Sequence, residues 1–400
     1  MPILWLDEVD PAEFNNKRVL LRVDFNVPMD DAHNILDAER IVLTLPTIRR
    51  LLRAKAKVVI LSHLGRPKGK PKPSLSLEPV ASYLRDLLDQ EVVFVHDCIG
   101  DGVTRIVNNA EPSSVIFLEN VRFHGGEEKN DPVFAKLLAR NMDYYVDDAF
   151  GAIHRAHASV DGVTKFFVKP LGGLLLKREL DVFVRVLNQP ERPLVALIGG
   201  AKVSSKIGVL LHLLKKVDAL LIGGAMAYTF LRAQGEAVGE SLMEEDKLSK
   251  ALGLLRKARE LSVKIYLPKD HVVTKDIPTK KDVRIIRSNE FAPDDIGVDI
   301  GPMTVEEYAH VIKSAKTIFW NGPMGMYERE EFAKGTDGLI DAVAHAQGFS
   351  IVGGGDSIAA LNKSGHSKDV DFVSTGGGAG LELLEGKKLP GLMALGYYDS

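Results

Sequence analysis

Four hundred residues exceed what one hydrophobic core usually serves, so two domains are expected. The chain is 45% hydrophobic and 26% charged with a formal net charge of −3, a globular composition; in neither half do Lys and Arg outnumber Asp and Glu, which argues against a broad nucleic-acid footprint. Cys98, the one cysteine, excludes an internal disulfide framework and a multi-thiolate metal site and reads as a buried small hydrophobe.

The first ten residues, MPILWLDEVD, lack the basic region, apolar core and cleavage site of a leader, and no apolar run reaches membrane-spanning length. A cytoplasmic protein without a membrane partner is expected. An apolar run over 19–23, interrupted by Arg22, predicts a strand that delivers Asp24, Phe25, Asn26 and Pro28 to its carboxyl end. Asp37 to Arg40 then open a helix marked by Ile41, Leu45, Ile48 and Leu51. A second strand over 58–61 ends in Ser62, His63, Leu64, Gly65 and Arg66. Strand, helix, strand with polar loops at the strand ends is a βαβ pattern, whose ligand site lies beyond those ends.

The pattern continues with a helix near 77–88 and strands over 92–95 and 115–118, the last emptying into Glu119, Asn120 and Arg122. A helix near 134–141 leads to Tyr144, Tyr145 and Val146, then to Asp147, Asp148, His154, Arg155 and His157. Arg40, Arg66, Arg122 and Arg155 are expected to converge with His63 and Asn26 on a small polyanion, because guanidinium forks bind phosphate or carboxylate through paired hydrogen bonds. Asp24 would orient a substrate hydroxyl or one of these arginines. His154 and His157 stand three apart, but without a matching Cys or carboxylate they read as loop hydrogen-bonders rather than metal ligands. Gly65, Gly69 and Lys70 mimic a Walker A loop, yet the glycine spacing is short and Pro71 fills the Ser/Thr position, so that reading is rejected.

Residues 169–187 read as a helix joining two domains, punctuated by Pro170, Gly172 and Gly173 at its start and by Asn188 and Pro190 at its end. After it one theme repeats: an apolar strand, a glycine loop and a helix. Such loops follow strands at 194–198, 219–222, 317–320, 350–352 and 370–373, which predicts a doubly wound parallel sheet with its loops on one rim. Glycines there let backbone N–H groups approach phosphate. Lys202 and Lys206, four apart, would share a helix face and point at such a ligand. Glu328 would accept from ribose hydroxyls, and Asp356 would hold Mg²⁺. A nicotinamide dinucleotide also suits such loops, but no G-x-G-x-x-G with its acidic partner follows the first strand of a unit. A nicotinamide-dependent dehydrogenase and an anion-binding scaffold without catalysis remain the alternatives.

The segments RVDFNVP at 22–28, SHLGRP at 62–67, LENVRF at 118–123, HRAHAS at 154–159, GGAKV at 199–203, WNGPMG at 320–325, GGGDS at 353–357 and STGGGA at 374–379 closely resemble those of the phosphoglycerate kinases, in order and over nearly the whole chain. The resemblance implies two Rossmann-like α/β domains with doubly wound parallel sheets joined by a helix. They are a phosphoglycerate-binding domain over 1–170, the helix over 171–188 and a nucleotide-binding domain over 189–388, with 389–400 packing back on the first. It implies reversible, Mg²⁺-dependent phosphoryl transfer between 1,3-bisphosphoglycerate and ADP, giving 3-phosphoglycerate and ATP, in a monomer that closes about a hinge. By motif match Asp24, Phe25, Asn26, Arg40, His63, Leu64, Gly65, Arg66, Arg122 and Arg155 form the phosphoglycerate site. Lys202, Lys206, Gly224, Gly297, Asn321, Pro323, Glu328, Gly354, Gly355, Asp356 and Ser357 form the nucleotide site, with Asp356 on a Mg²⁺ held mainly by the nucleotide phosphates. Arg40, Lys202 and Gly377 carry the catalytic roles. The chain departs from the family pattern at Ser205, Ala225, Ile153 and Gly380, where Asp, Gly, Ala and Ser are the frequent residues. None is expected to remove activity, and Ala225 is expected to crowd the nucleotide edge.

Overall fold

The computed structural model describes residues 3–398. The chain divides into two compact units, Met1–Val182 with Lys388–Ser400, and Phe183–Lys387. In the first unit, strands β1 (Leu4–Trp5), β2 (Arg18–Arg22), β3 (Lys57–Leu61), β4 (Val92–Val95), β5 (Val115–Leu118), β6 (Tyr144–Asp147) and β7 (Leu171–Gly172) form one parallel sheet in the order β1-β7-β6-β2-β3-β5-β4. Helices α1 (Glu39–Arg53), α2 (Glu78–Leu88), α3 (Asp101–Asn109) and α4 (Pro132–Ala139) accompany it, and α5 (Leu174–Asn188) runs from the first unit into the second. Leu20, Leu21, Val58, Val59 and Ile60 are solvent-free, as both faces of a parallel sheet demand. Arg22 lies opposite Leu61 on one side and Asp147 on the other, so the loops after β2, β3 and β6 leave from the same rim.

In the second unit, β8 (Leu194–Ile198), β9 (Ala219–Ile222) and β10 (Lys264–Tyr266) join β14 (Thr317–Asn321), β15 (Phe349–Gly353) and β16 (Phe372–Ser374). Their parallel order is β10-β9-β8-β14-β15-β16. Between them in sequence, β11 (Asp270–Thr274), β12 (Arg284–Arg287) and β13 (Ile296–Ile300) make a small antiparallel sheet that the sequence reading did not foresee. The helices are α6 (Ile207–Leu213), α7 (Met226–Ala233), α8 (Leu248–Glu260), α9 (Pro302–Ser314), α10 (Lys334–Ala344), α11 (Gly355–Ser364) and α12 (Gly378–Leu384). Ile198, Asn321, Gly353 and Ser374 are aligned across four strands, so the glycine loops share one rim.

The last helix, α13 (Pro390–Ala394), belongs to the first unit. Gly391 N–H donates to the Ile153 carbonyl at 2.9 Å, and a Cβ on Gly391 would lie 2.6 Å from the Ile153 Cδ1 methyl. The departure at Ile153 is therefore matched by the residue it meets. Gly380 is explained in the same way, since a side chain there would lie 2.7 Å from Cζ of Phe183.

The helix expected from residue 171 starts at Leu174. Leu171 and Gly172 are spent on pairing with β6 and β1, and Gly173 N–H donates to the Asp147 carbonyl. Asp148 begins the helix from outside: its Oδ1 accepts from the N–H groups of Leu175 at 2.8 Å and Leu176 at 3.0 Å, while Thr47 Oγ1 accepts from Leu174 N–H at 3.1 Å. Burial pushes the Asp148 carboxyl up to about 6 despite these donors. Because this folded value exceeds the ordinary 3.8, the protonated acid favours the fold at low pH, and that contribution fades as pH rises through about 6. Asp148→Ala is expected to cost ~1–2 kcal/mol as a lost helix cap, and Asp148→Asn less, since its amide oxygen still accepts. Denaturant unfolding from pH 4 to 7 should also give a flatter stability profile for Asp148→Asn; an unaltered profile would contradict the assignment.

Candidate active site

Arg22 is the first residue to consider on the rim of the first unit, although the sequence reading treated it only as an interruption of an apolar strand. Its side chain is fully buried, a costly position for a charge unless every donor finds an acceptor. Nε donates to Ser159 Oγ at 2.8 Å, Nη1 to the Val23 carbonyl, and Nη2 contacts His63 Nδ1 at 3.1 Å. Ser159 is fixed in turn by Glu127, whose carboxylate accepts from its hydroxyl at 2.7 Å and its N–H at 2.9 Å. The loop after β6 is thereby tied to the end of β2.

A guanidinium can only donate, so His63 Nδ1 must accept and the ring proton sits on Nε2, 3.9 Å from Asp24 Oδ1. Burial pushes the His63 imidazole well below its ordinary value, outweighing the pull of Asp24. The ring is neutral at physiological pH. Burial pushes the Asp24 carboxyl up, but the positive charges of Arg40 and Arg22 outweigh it and hold the group below the usual range. Arg40, from the first turn of α1, reaches Asp24 Oδ2 at 2.6 Å. Asn26 Oδ1 accepts from Gly65 N–H at 2.8 Å, which joins the loops after β2 and β3.

Arg122 enters from the turn after β5, which Asn120 caps through its Oδ1. Arg122 Nη1 donates to the Gly65 carbonyl at 2.8 Å, while its buried Nε makes no hydrogen bond. Desolvation pushes Arg122 down to about 10, and Arg22 and Arg155 push the same way. Glu128, 3.8 Å from Nε, compensates only in part. Arg155 Nε donates to His154, whose imidazole burial pushes down to about 4. Arg66 is exposed. The expected Asp24, Asn26, Arg40, His63, Gly65 and Arg122 thus form one bonded cluster, with Arg155 electrostatically coupled to it. Phe25 and Leu64 place their side chains in the core; Phe25 N–H donates to Ser62 Oγ, and the Leu64 carbonyl accepts from Asn120. Their part is to hold the loops rather than to present a side chain. A separate cleft of about 420 Å³ beside His96, Cys98 and His124 contains none of these arginines.

In the second unit the glycine loops enclose a cleft of about 390 Å³ lined by Lys202, Lys206, Asn321, Pro323, Gly354, Gly355, Asp356, Ser357 and Gly377. Lys202 and Lys206 do not share a helix, contrary to the spacing argument. Helix α6 starts at Ile207, with Lys206 at its N-cap and Lys202 in the preceding loop, where Ser205 Oγ donates to the Lys202 carbonyl. Lys206 Nζ donates to the Asn321 side-chain oxygen at 2.6 Å and to its carbonyl at 3.0 Å. Asn321 also donates to the Gly353 carbonyl, and Ser357 Oγ accepts from Gly322 N–H. Lys206 therefore clamps neighbouring strand ends. Burial pushes its ammonium down to about 8, against the pull of Asp356.

Gly377 has φ +50° at the N-cap of α12, a conformation suited to glycine, and leaves the first N–H groups of that helix on the cleft. Gly224, Gly297 and Glu328 are not on this lining. Gly224 backs it, because a side chain there would strike Gly200; Gly297 lies on β13 against Tyr228, its N–H donating to Ser241 Oγ at 2.9 Å; Glu328 is exposed. Ala225 caps α7 and packs with Tyr228, Leu231 and Val238, so its methyl is taken up by an apolar cluster. The Asp356 carboxylate is exposed at the start of α11 and fits Mg²⁺ by chemistry, since that hard cation is commonly held by one or two carboxylates together with substrate phosphates.

Parallel doubly wound sheets with a basic cluster on one rim and a lysine-bearing glycine cleft on another define a two-unit α/β protein equipped for phosphorylated ligands. The phosphoglycerate kinase family model matches residues 9–387, and the chain belongs to that family. A phosphoglycerate kinase of Anaeromyxobacter sp. (strain Fw109-5) is 49% identical over 393 residues, covering 98% of this chain and 99% of the relative. That of Koribacter versatilis (strain Ellin345) is 50% identical over 395 residues, covering 97% and 98%. Among solved structures, phosphoglycerate kinase from Coxiella burnetii superposes with a TM-score of 0.87 at 41% identity, over 99% of each chain. The enzyme from Pyrococcus horikoshii OT3 gives 0.83 at 32%, again over 99% of each.

The neutral His63 gives a direct check on the geometry. NMR of the imidazole resonances should show His63 untitrated between pH 6 and 8, whereas a midpoint near the ordinary 6.5 would mean that the ring is not desolvated among these arginines as described.

Proposed function

We propose that this chain catalyses reversible phosphoryl transfer between 1,3-bisphosphoglycerate and ADP, giving 3-phosphoglycerate and ATP. Membership of the family supports the reaction. The observation that carries the site assignment is the under-compensated charge at Arg122: a buried guanidinium whose Nε makes no hydrogen bond, destabilised by two neighbouring arginines and offset only in part by Glu128, calls for an anionic ligand. Arg66, Arg122 and Arg155 would take the phosphate of 3-phosphoglycerate, with Asn26, His63 and Asp24 orienting its hydroxyl and carboxylate. The neutral His63 acts as a hydrogen-bonding group rather than as an added cation.

In this reading the nucleotide phosphates sit in the cleft of the second unit against Lys202, Lys206 and the start of α11. Gly224, Gly297 and Glu328 serve the nucleoside end, away from the cleft lining. Asp356 would hold Mg²⁺, which when bound supplies positive charge to the nucleotide phosphates. The attacking group is a carboxylate, already ionised, so no general base is needed. Arg40, Lys202 and the N–H groups at Gly377 are placed to neutralise charge that grows on the transferring phosphoryl group. In-line transfer with water excluded demands that the bound substrates come together, and domain closure is part of the proposal. A cytoplasmic monomer is the accompanying expectation; among the described residues no helix is long and apolar enough to cross a membrane.

The deciding experiment is ATP formation from ADP and 1,3-bisphosphoglycerate with Mg²⁺, with no product expected from a dehydrogenase or a scaffold. Lys202→Ala and Arg40→Ala should each lower kcat by ~10²-fold or more, about 2.7 kcal/mol, with smaller effects on substrate affinity. Near-normal turnover in both would overturn the assignment. Lys206 adds a pH signature: as it deprotonates through about 8, ADP affinity measured by calorimetry should fall from pH 7 to 9. Lys206→Met should remove that dependence.

A further inference from the structure

A groove of about 510 Å³ on the first unit, apart from both sites above, is floored by Pro11, Pro46, Ala54 and Leu174. Three arginines border it: Arg49, Arg50 and Arg53, all from the second half of α1. Arg49 and Arg53 are one helical turn apart and share a face, where like charges oppose helix formation. Among the described residues none of the three is ion-paired.

Acidic residues are close in sequence to Pro11, but among the described residues they make no ion pair with these arginines. Asp10 accepts from Ala12 N–H and Glu13 accepts from the Tyr144 hydroxyl. Two of the guanidinium groups are held by backbone acceptors. Arg50 donates to the carbonyls of Leu6 and Val9, at 3.2 and 3.3 Å, and Arg49 donates to that of Leu87 at 3.3 Å. The partial negative charge at the end of α1 favours cations there, yet a helix terminus carries only about half a charge and faces three full ones. Each fork keeps N–H groups available for a bidentate acceptor.

We infer that this groove is a second ligand site, for a small organic anion in which a flat apolar group carries a phosphate or a carboxylate. The proline rings, Ala54 and Leu174 meet the apolar part, and Arg49, Arg50 and Arg53 meet the charged part. Its volume is within the range of small-molecule pockets. The selectivity follows from the two halves: inorganic phosphate satisfies the forks but leaves the apolar floor wet, and a neutral ring leaves the charges unpaired.

The probe is phenyl phosphate, titrated by calorimetry into the full-length protein with 3-phosphoglycerate and ADP at the lowest concentrations that fill the two sites described above, since both are themselves organic phosphates. One further equivalent is expected to bind, with inorganic phosphate binding more weakly. The double variant Arg49→Ala/Arg53→Ala should weaken phenyl phosphate by at least about tenfold while leaving kcat unchanged. Arg49→Lys/Arg53→Lys keeps the charge without the forks and should fall between the two. Thermal melting of each variant controls for folding. Absence of the further equivalent, equal affinity for inorganic phosphate, or binding unaffected by the alanine pair would each overturn the proposal.

Discussion

A guanidinium buried in the middle of a parallel sheet is tolerable only when its donors are matched, and Arg22 imposes that demand on most of the first unit's rim. To satisfy it, Ser159 must arrive from the loop after β6, and Glu127 must hold Ser159. The Arg22 contact also sets the tautomer of His63, which faces Asp24, and Asp24 receives Arg40. One buried charge thus orders four loops, and its repulsion of Arg122 keeps the rim short of negative charge. The arrangement costs desolvation and gains specificity, because substituting any one partner strands another in the interior.

The second unit reaches a comparable end through backbone. Lys206 is held against Asn321, Asn321 against Gly353, and Ser357 against Gly322, so side chains lock the ends of β14 and β15 while glycine N–H groups line the cleft. The first unit holds fixed charge, whereas the second holds oriented dipoles and a lysine whose ammonium desolvation pushes down to about 8. This division suits a compact anion on one side and a longer phosphate chain on the other.

The runs at 115–118, 194–198 and 219–222 were legible as β5, β8 and β9 because both faces of a parallel sheet are buried there. In contrast β4, on the sheet edge with Val93 exposed, was legible only as an apolar run at 92–95. The two-residue strands β1 and β7 were not legible, since pairing so short leaves no period to read, and β7 turned the expected helix start at 171 into a strand. The antiparallel sheet of β11 to β13 does not share the strand, glycine loop and helix repeat that marks the parallel sheet, so its pairing leaves no such signal in the sequence. Spacing misled at Lys202 and Lys206, where a loop preceding α6 occupies what looked like one helical turn. Arg22 was readable in principle: a lone charge inside an apolar run, flanked by strand residues, signals a buried network. The expected arginine cluster was recognisable by residue type at strand ends, but the Arg122 Nε left without a hydrogen bond is a matter of tertiary packing that residue type does not encode.

The pairing of Gly391 with Ile153 bears on how the protein is made. Residues 183–387 all lie between the bulk of the first unit and its last helix, so that unit stays unfinished on the ribosome until the second has been synthesised. The N-terminal sheet must persist through that interval with the surface around Ile153 and Val160 open. A chain released a few residues early would carry a complete second unit and a first unit lacking its final piece.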